Sequence, residues 1–245
     1  MNPGISVVFP AYNEEMNIRP TIGRALEAMK GLGRQFEILI VDDASKDSTG
    51  RIAEELAAAN PEIRVLHNPQ NVGQGECIFR GFRNARYDLF IHDAMDYPFD
   101  LHDLARMLPL CGETDVVVAA RTSRAGYSAY RVLTSVVHRA LLHLLFPPHL
   151  SDYSFVQLFP RAVWEAIKVE SRATAFMMPE ALIRAHDMGY RIKEVETEYH
   201  ARPAGVATSG KPKVILRSLR DMLAFWWKTR VRPAQHVRRP PSRIA

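Results

Sequence analysis

The chain has 245 residues, of which 47% are hydrophobic and 24% charged, so one large α/β domain or two small ones could bury a sizeable core. Its two cysteines are too few for a disulfide-stapled scaffold and favour a reducing cytosolic compartment. The net charge of +5 hides an asymmetry, because residues 200–245 carry eleven lysines and arginines and one acid, which is typical of a segment that meets an anionic surface.

No apolar segment of the sequence predicts a leader peptide or a membrane span. The first apolar run, from Ile5, ends at Pro10 after only a strand's length, and no basic residues precede it. The longest apolar-rich segment, residues 132–146, contains two histidines and an arginine. We therefore expect a soluble or peripheral protein.

Short apolar runs alternate with helical patterns through the first half of the chain. The predicted strands are residues 5–9, 36–41, 63–66 and 87–91, and the predicted helices are residues 18–29, 52–59 and a segment through Phe79 and Phe82. Such alternation predicts βαβ units and a parallel sheet.

An acidic pair, Asp42 and Asp43, follows the second predicted strand. Two adjacent carboxylates repel each other and lose solvation, so the pair is costly unless other groups donate hydrogen bonds to it. The ribose hydroxyls and base N–H of a nucleotide lying across the strand ends are suitable donors. Helix capping is the alternative, because Asp43, Ser45 and Asp47 lie just before a helix.

Two glycines, Gly73 and Gly75, follow the third predicted strand. They lack the full spacing of a dinucleotide-binding motif, so an ordinary loop-to-helix turn stays open as an interpretation.

Three acids, Asp93, Asp96 and Asp100, follow the fourth predicted strand, and Pro98 prevents an immediate helix. A carboxylate at the carboxyl end of a buried strand is where open α/β sheets place ligand chemistry. A solvated turn is the alternative.

Four motifs in this order resemble the nucleotide-binding half of family 2 inverting glycosyltransferases: residues 7–14, residues 40–49, Asn71-x-Gly73 and Asp93-Ala94. The second half resembles the dolichol- or polyprenyl-phosphate sugar synthases of that family, at residues 115–121, Tyr130-Arg131 with Ser135, Asp152, Pro179-Glu180, residues 189–195 and residues 200–211. The resemblance implies an α/β fold of GT-A type, with a Rossmann-like, mostly parallel sheet flanked by helices and a C-terminal amphipathic helix. We expect a single domain over residues 1–230 and a basic, disordered tail over residues 231–245.

The resemblance also implies roles for individual residues. The catalytic residues would be Asp93, Arg121, Arg131 and Arg202. The substrate-binding residues would be Pro10, Ala11, Tyr12, Glu14, Asp42, Asp43, Asn71, Gly73, Ser135, Asp152, Glu180 and Lys211.

Asp93 corresponds to the first acid of the family's D-x-D motif, whose carboxylates hold Mg²⁺ or Mn²⁺ against the donor diphosphate. The sequence departs from the family at this point, because Met95 replaces the second acid and Tyr97 replaces a glutamine. Asp96 is the predicted second metal ligand, and His92 is a further candidate.

Two kinds of acceptor would use different residues. A lipid phosphate is already anionic and needs only positive charge to hold it in line, for which Arg121, Arg131, Arg202 and Lys211 are the candidates. A hydroxyl acceptor would need a carboxylate base, for which Asp152 and Glu180 are the candidates.

The helix predicted after Lys213 has apolar residues at helical spacing, namely Ile215, Leu219, Met222, Leu223 and Trp226. This stripe predicts either a core-facing side or, with the basic residues that follow, an interfacial anchor on anionic lipid.

The sequence therefore predicts an inverting glycosyltransferase that moves a sugar from a UDP- or GDP-linked donor to a polyprenyl phosphate, as a peripheral protein at the cytoplasmic face of the membrane. Two alternatives stay open: a hydroxyl acceptor on a glycan, and a nucleotide-sugar-binding protein with impaired catalysis. The expected partners are the nucleotide sugar, the lipid acceptor and the membrane surface, with no nucleic acid. Dimerisation is left open.

Overall fold

The computed structural model describes residues 3–112, 115–123, 128–171, 175–200 and 212–232. The strands in these ranges are β1 (Ile5–Ala11), β2 (Phe36–Asp42), β3 (Ile63–His67), β4 (Leu89–His92), β5 (Asp115–Arg121), β6 (Val156–Pro160) and β7 (Arg191–Thr197). The α-helices are α1 (Ile18–Gly31), α2 (Thr49–Ala59), α3 (Gln74–Asn84), α4 (Leu104–Met107), α5 (Ala129–Leu145), α6 (Arg161–Ala166), α7 (Met177–Asp187) and α8 (Pro212–Trp226). Short 3₁₀ turns flank α4 at Leu101–Asp103 and Leu108–Leu110, and a π-helical turn, Trp227–Val231, extends α8.

These strands form one mixed sheet in the order β3-β2-β1-β4-β6-β5-β7. Only β6 runs antiparallel to its neighbours among the pairings that the structure describes, so the predicted mostly parallel sheet is confirmed. The chain moves outward from β1 to β3, and α3 then returns it to the other side of β1. The strand order therefore reverses between β1 and β4, which is where open α/β sheets form a binding crevice.

Alternating side chains of β1 pack against different helical layers, because successive residues of a strand point to opposite faces. Val7 and Phe9 join the apolar cluster beneath α1 and α2, whereas Val8 joins the cluster beneath α3 and α7. The absence of a side chain at Gly81 lets α3 approach β1, since a Cβ there would lie 2.4 Å from Cγ1 of Val8. Both faces of the sheet are covered, as the apolar strand sequences predict.

The predicted elements of the first half all form, with shifts of one to three residues at their ends. The fourth strand begins at Leu89 rather than at residue 87, because the backbone N–H of Tyr87 bonds to the Ser6 hydroxyl and leaves the ladder. β1 continues through Pro10 to Ala11, where Ala11 pairs with Asp42 of β2.

The C-terminal helix α8 buries one side and exposes a second apolar strip. Met222 and Phe225 are buried, and the Phe225 ring packs 5.5 Å from Phe146 and 5.7 Å from Phe176. The exposed apolar side chains of the helix and its π-helical extension are Leu216, Leu223, Trp227 and Val231. The prediction that Leu223 belongs to a single stripe with Met222 is therefore wrong, since the buried side is rotated toward Phe225.

None of the helices in the described ranges is both long and apolar enough to cross a bilayer. The tail from residue 233 onward, most of the segment predicted to be disordered, lies outside the residues that the structure describes.

Candidate active site at the carboxyl end of the sheet

The loops that leave β1, β2 and β4 converge at one edge of the sheet. Ala11 pairs with Asp42, and His92, which precedes Asp93, pairs with Val8. The fold therefore brings together the predicted residues that follow these strands. Tyr12 is 41% exposed at this edge, and its contact with a substrate stays a prediction.

The loop after β1 is locked to the loop after β2 by reciprocal hydrogen bonds. The backbone N–H of Asn13 donates to the Ser45 hydroxyl at 3.0 Å, and the Asn13 side-chain oxygen accepts from the Lys46 N–H at 2.8 Å. The Glu14 N–H donates to the Thr49 hydroxyl at 2.8 Å. These bonds fix the backbone beside the crevice before any ligand arrives.

The backbone of both loops passes through the left-handed region, at Asn13 (φ 55°) and Ala44 (φ 58°).

Asp47 acts as the helix-capping acid for α2, because its carboxylate accepts from the Thr49 N–H at 2.9 Å and from the Glu15 N–H at 3.3 Å. The capping interpretation of this segment thus applies to Asp47.

Asp42 and Asp43 turn to different partners. The Asp42 carboxylate accepts from the Ser45 N–H at 3.1 Å, and its second oxygen lies 2.9 Å from Nδ1 of His67. Hydrogen bonds to Glu54 and then to Asp42 raise the pKa of His67. Asp42 therefore pairs with His67 at the end of the neighbouring strand β3, and this contact favours the protonated form of the histidine.

Asp43 organises the loop that opens α3. One oxygen accepts from the Val72 N–H at 2.9 Å and from the Asn68 amide at 2.8 Å, and the other accepts from the Gly73 N–H at 2.8 Å. Gly73 has a φ of 94°, which explains the glycine at this position. The protein's own donors thus offset the free-energy cost of placing two carboxylates side by side. A contact between Asp43 and the base or ribose stays a prediction.

Asp93 lies at the end of β4 and is fully buried. Its Oδ1 accepts from the Ala94 N–H at 2.8 Å, whereas its Oδ2 is buried with no hydrogen-bond partner in the part of the chain that the structure describes. Burial raises the pKa of the Asp93 carboxyl well above its usual range, the Ala94 N–H lowers it, and the charges of Asp96 and Asp100 raise it further. A dry, unpaired carboxylate oxygen is a strong acceptor for a cation or a ligand donor.

Met95, at the position of the family's second acid, points into the core beneath α1. The Thr21 hydroxyl donates to its carbonyl oxygen at 2.7 Å, and the Tyr97 N–H donates to the Ala94 carbonyl at 3.0 Å to close the turn. Tyr97 adopts a φ of 52°. The turn therefore places the Met95 side chain in the core, and Asp96 is the next residue of the turn and lines a cleft.

Asp96 is itself 8% exposed and lies in the wall of a cleft of about 440 Å³ between α1 and the turn. The residues that line this cleft are Arg24, Glu27, Asp96, Tyr97, Asp100, His102 and His200. The His200 N–H donates to the Pro98 carbonyl at 3.0 Å, so the segment after β7 is tied to the turn after Asp93.

Asp93 and Asp96 stay the predicted ligands of a metal that would be shared with a diphosphate. Mg²⁺ commonly takes one or two protein carboxylates and completes its shell with phosphate oxygens and water. Across the described ranges, no cluster of three or more His, Cys, Asp or Glu side chains is arranged to hold a metal by itself. The unpaired Oδ2 of Asp93 is the atom that favours such a shared site.

His92 is not placed as a nitrogen donor to such a metal. Its Nε2 lies 3.0 Å from the Gln157 amide oxygen, and its ring packs 6.4 Å from Phe82. Burial lowers the pKa of His92 to about 4. Neighbouring strand residues point to opposite faces, so His92 faces away from Asp93.

Arg121, at the end of β5, and Asp152, in the loop before β6, form a bidentate ion pair. Nε and Nη2 of Arg121 donate to the two carboxylate oxygens at 2.6 and 2.9 Å, and the guanidinium lies 4.9 Å from the centre of the Phe155 ring. This geometry is the strong, oriented form of the arginine–carboxylate pair. Asp152 is thus placed to orient Arg121, and both of its oxygens are already used as acceptors.

Glu180, the other candidate base, is fully buried in α7. Its carboxylate accepts from the Glu170 and Ser171 N–H groups at 3.0 and 2.8 Å and from Nε of Arg184 at 2.6 Å. The structure gives Glu180 an internal role in holding the segment before α7. Substrate binding by Glu180 stays a prediction.

Four further predicted residues lie on or beyond α5 in the sequence. Ser128 caps this helix by accepting from the Arg131 N–H at 3.3 Å, and Arg131 and Ser135 are half-buried on one side of it. Arg202 and Lys211 lie outside the residues that the structure describes.

The sequence interpretation missed His67, Asn68 and Thr21. His67 and Asn68 directly follow the apolar run of β3, so the reasoning applied to the other strand ends would have found them. Thr21 lies within α1, and nothing in its local sequence indicates its bond to Met95.

Comparison with known proteins adds independent support. Residues 6–164 match the family model described as Glycosyl transferase family 2. The chain is 28% identical over 238 residues to glycosyltransferase AglD of Haloferax volcanii, which covers 94% of this chain and 38% of the relative. It is 28% identical over 205 residues to undecaprenyl-phosphate 4-deoxy-4-formamido-L-arabinose transferase of Proteus mirabilis, covering 82% of this chain and 61% of the relative. The chain thus spans less than two thirds of the length of these two relatives.

Among solved structures, the chain resembles glucosyl-3-phosphoglycerate synthase from Mycobacterium tuberculosis in complex with Mn²⁺, UDP and phosphoglyceric acid. The TM-score is 0.68 at 20% identity, and the match covers 91% of this chain and 78% of the other. This likeness shows the fold, and the GT-A type predicted from the sequence is confirmed.

Proposed function

The chain belongs to glycosyl transferase family 2, and from that membership we propose that it transfers a sugar, with inversion, from a UDP- or GDP-linked donor to a polyprenyl phosphate. The observation that carries the proposal is the buried Oδ2 of Asp93, which has no hydrogen-bond partner among the described residues and lies at the point where the strand order reverses. The name of the Proteus mirabilis relative, an undecaprenyl-phosphate sugar transferase, supports the lipid acceptor.

On the donor side, the nucleotide lies across the carboxyl ends of β1 and β2, where Tyr12 is exposed and the locked loops provide a fixed backbone. Asp93 and Asp96 would hold Mg²⁺ or Mn²⁺ together with the diphosphate. When bound, the cation neutralises the charge that develops on the departing nucleotide diphosphate. Asp93 contributes a carboxylate that is already dehydrated, so it loses little solvation when the donor binds.

On the acceptor side, a phosphate oxygen forms the new bond to the anomeric carbon as the bond from that carbon to the diphosphate oxygen breaks. Attack from the opposite face inverts the anomeric centre. The phosphate nucleophile is an anion at neutral pH, so no side chain has to remove a proton. Arg121 and Arg131 supply positive charge to hold it in line, and Arg202 and Lys211 stay predicted contributors.

The two candidate bases favour the phosphate over a hydroxyl acceptor. Asp152 holds Arg121 with both oxygens, and Glu180 is buried against Arg184 and two backbone N–H groups. Neither carboxylate is arranged to take a proton from an incoming hydroxyl.

A nucleotide-sugar-binding protein without transfer activity is the second candidate. The observation in its favour is Met95, because a methionine packed in the core cannot replace a metal-binding acid.

We also propose that the protein acts as a peripheral protein at the cytoplasmic face of the membrane. The exposed apolar strip of α8 supports this contact, and α5 adds Leu133, Val137 and Leu144 as exposed apolar side chains. Two of the basic residues after α8 are in ion pairs, Lys228 with Glu170 and Arg230 with Asp187, each at 2.8 Å. Because these two basic residues already pair with acids, we expect the exposed apolar strip to contribute more to membrane binding than the charge of the segment alone would suggest.

The test is transfer from a panel of labelled UDP- and GDP-sugars, with Mn²⁺, to undecaprenyl phosphate or to undecaprenol in detergent. We expect one donor to give a lipid-linked product with the phosphate and none with the alcohol. If a nucleotide stabilises the protein to heat but no product forms on either lipid or on a glycan, the binding-protein candidate replaces the enzyme. If no nucleotide stabilises the protein, the donor assignment is wrong.

A further inference from the structure

Two predicted site residues, Arg131 and Ser135, lie on one side of α5, and further residues lie on that same side toward the end of the helix. Arg131, Ser135, His138 and Leu142 are spaced i, i+4, i+7 and i+11, so they lie on one side of the helix. Leu142 is fully buried, which shows that this side faces the protein. His138 is therefore the next inward-facing side chain after Arg131 and Ser135, one turn deeper.

Two hydrogen bonds hold the loop before β6 against α5. Arg139 donates to the Ser151 carbonyl at 3.2 Å, and Nε2 of His143 donates to the Leu150 carbonyl at 2.8 Å. These bonds place Asp152 near His138, and the negative charge of Asp152 raises the pKa of His138 while burial lowers it by more. The Arg121–Asp152 pair and His138 thus belong to one cluster.

Nε2 of His138 is buried and has no hydrogen-bond partner among the residues that the structure describes. Its neighbour His143 is satisfied by a carbonyl, and His92 by an amide. Buried polar atoms are rarely left unpaired in folded proteins, and an unpaired one near the Arg121–Asp152 pair points to a ligand atom that completes it. Burial lowers the pKa of His138, which favours the neutral imidazole with a single N–H.

We propose that Nε2 of His138 donates a hydrogen bond to an oxygen of the acceptor phosphate, beside the guanidinium groups of Arg121 and Arg131. This inference rests on the proposed function. The arginines attract the anion, and the neutral imidazole adds a directional donor without adding charge to the Arg121–Asp152 pair. An acceptor that lacks the phosphate gives His138 no such partner.

The experiment uses the full chain and farnesyl phosphate, a short polyprenyl phosphate, with farnesol as the uncharged analogue. Isothermal titration measures both ligands, and UDP or GDP, against the wild type and the His138→Ala and His138→Gln variants. We expect His138→Ala to bind farnesyl phosphate roughly tenfold more weakly, the size of one hydrogen bond to a charged group. We expect no change for farnesol or the nucleotide, and partial recovery in His138→Gln, whose amide can donate.

The matched control is His149→Ala, which removes an exposed imidazole in the segment after α5. Equal affinity of the wild type and His138→Ala for farnesyl phosphate overturns the inference alone. An equal loss for farnesyl phosphate and farnesol also overturns it, because that result indicates a packing role. If the wild type binds nucleotide but not farnesyl phosphate, the acceptor assignment falls and the inference falls with it.

Discussion

The Thr21 hydroxyl donates a 2.7 Å hydrogen bond to the carbonyl oxygen of Met95, and this bond ties the turn after β4 to the first turns of α1. Both residues are buried, and the Met95 side chain packs into the core beneath that helix. The position of the family's second acid is therefore a buried apolar site, which suits the methionine found there. Asp93 and its neighbour Asp96 therefore stay the predicted metal-binding carboxylates.

Restoring the family's acid should damage the protein. In Met95→Asp a carboxylate would enter an apolar site without a partner, and we expect a loss of at least ~3 kcal/mol in the free energy of unfolding. Urea denaturation measures this loss. Met95→Leu keeps the volume and should cost less than ~1.5 kcal/mol. A Met95→Asp protein that is stable and binds Mn²⁺ more tightly than the wild type would show that residue 95 can face the site.

Asp43 should matter more for the fold of the crevice than its position at a strand end suggests. In Asp43→Asn the amide retains one acceptor oxygen, so at least one of the donors from Val72, Gly73 and Asn68 loses its partner. We expect a loss of roughly 2–3 kcal/mol in unfolding free energy and weaker nucleotide binding.

The control for Asp43 is Glu196→Gln, which changes an exposed carboxylate on β7. It should leave both quantities within experimental error. A fully stable Asp43→Asn protein that has lost only nucleotide affinity would instead favour direct contact between Asp43 and the base or ribose.

The sequence was sufficient to predict the strands of the first half, because their apolar runs stop abruptly at polar residues. It was also sufficient to place Asp42 and Asp93 at the same edge, since parallel strands share their carboxyl ends. It could not predict that Asp42 would bind His67, because that contact depends on the register between β2 and β3.

The use of the carboxylates was equally hidden from local sequence. Asp152 and Glu180 have the same chemistry as a general base, and only the fold shows that Arg121 and Arg184 already bind them. On α8, Leu223 fits the apolar spacing, but the packing of Phe225 against α5 and α7 decides which side is buried.

His67 should make stability depend on pH. Hydrogen bonds to Glu54 and Asp42 raise its pKa in the folded protein, so the protonated form stabilises the fold. This contribution is fully present below the unfolded pKa of about 6.5 and is lost as the pH rises through the higher folded value. The difference in unfolding free energy between the wild type and His67→Gln should therefore be larger at about pH 5.5 than at about pH 9.

The size of that difference should stay below about 1 kcal/mol, because the His67 side chain is nearly half exposed and solvent screens the pair. Urea titrations at several pH values measure it. A difference that grows with rising pH would mean that His67 is held in its neutral form.

The exposed strip of α8 should determine membrane affinity. Leu223→Gln together with Trp227→Gln removes two exposed apolar side chains, and the change in unfolding free energy should stay within about 0.5 kcal/mol. Each side chain that enters lipid contributes on the order of 1.5–3 kcal/mol, so binding to phosphatidylglycerol vesicles should fall by at least roughly tenfold. Vesicle co-sedimentation measures this, with Ala224→Gln on the same helix as the control. Unchanged binding of the double variant would assign the membrane contact to another surface, and the exposed side chains of α5 would be the next to substitute.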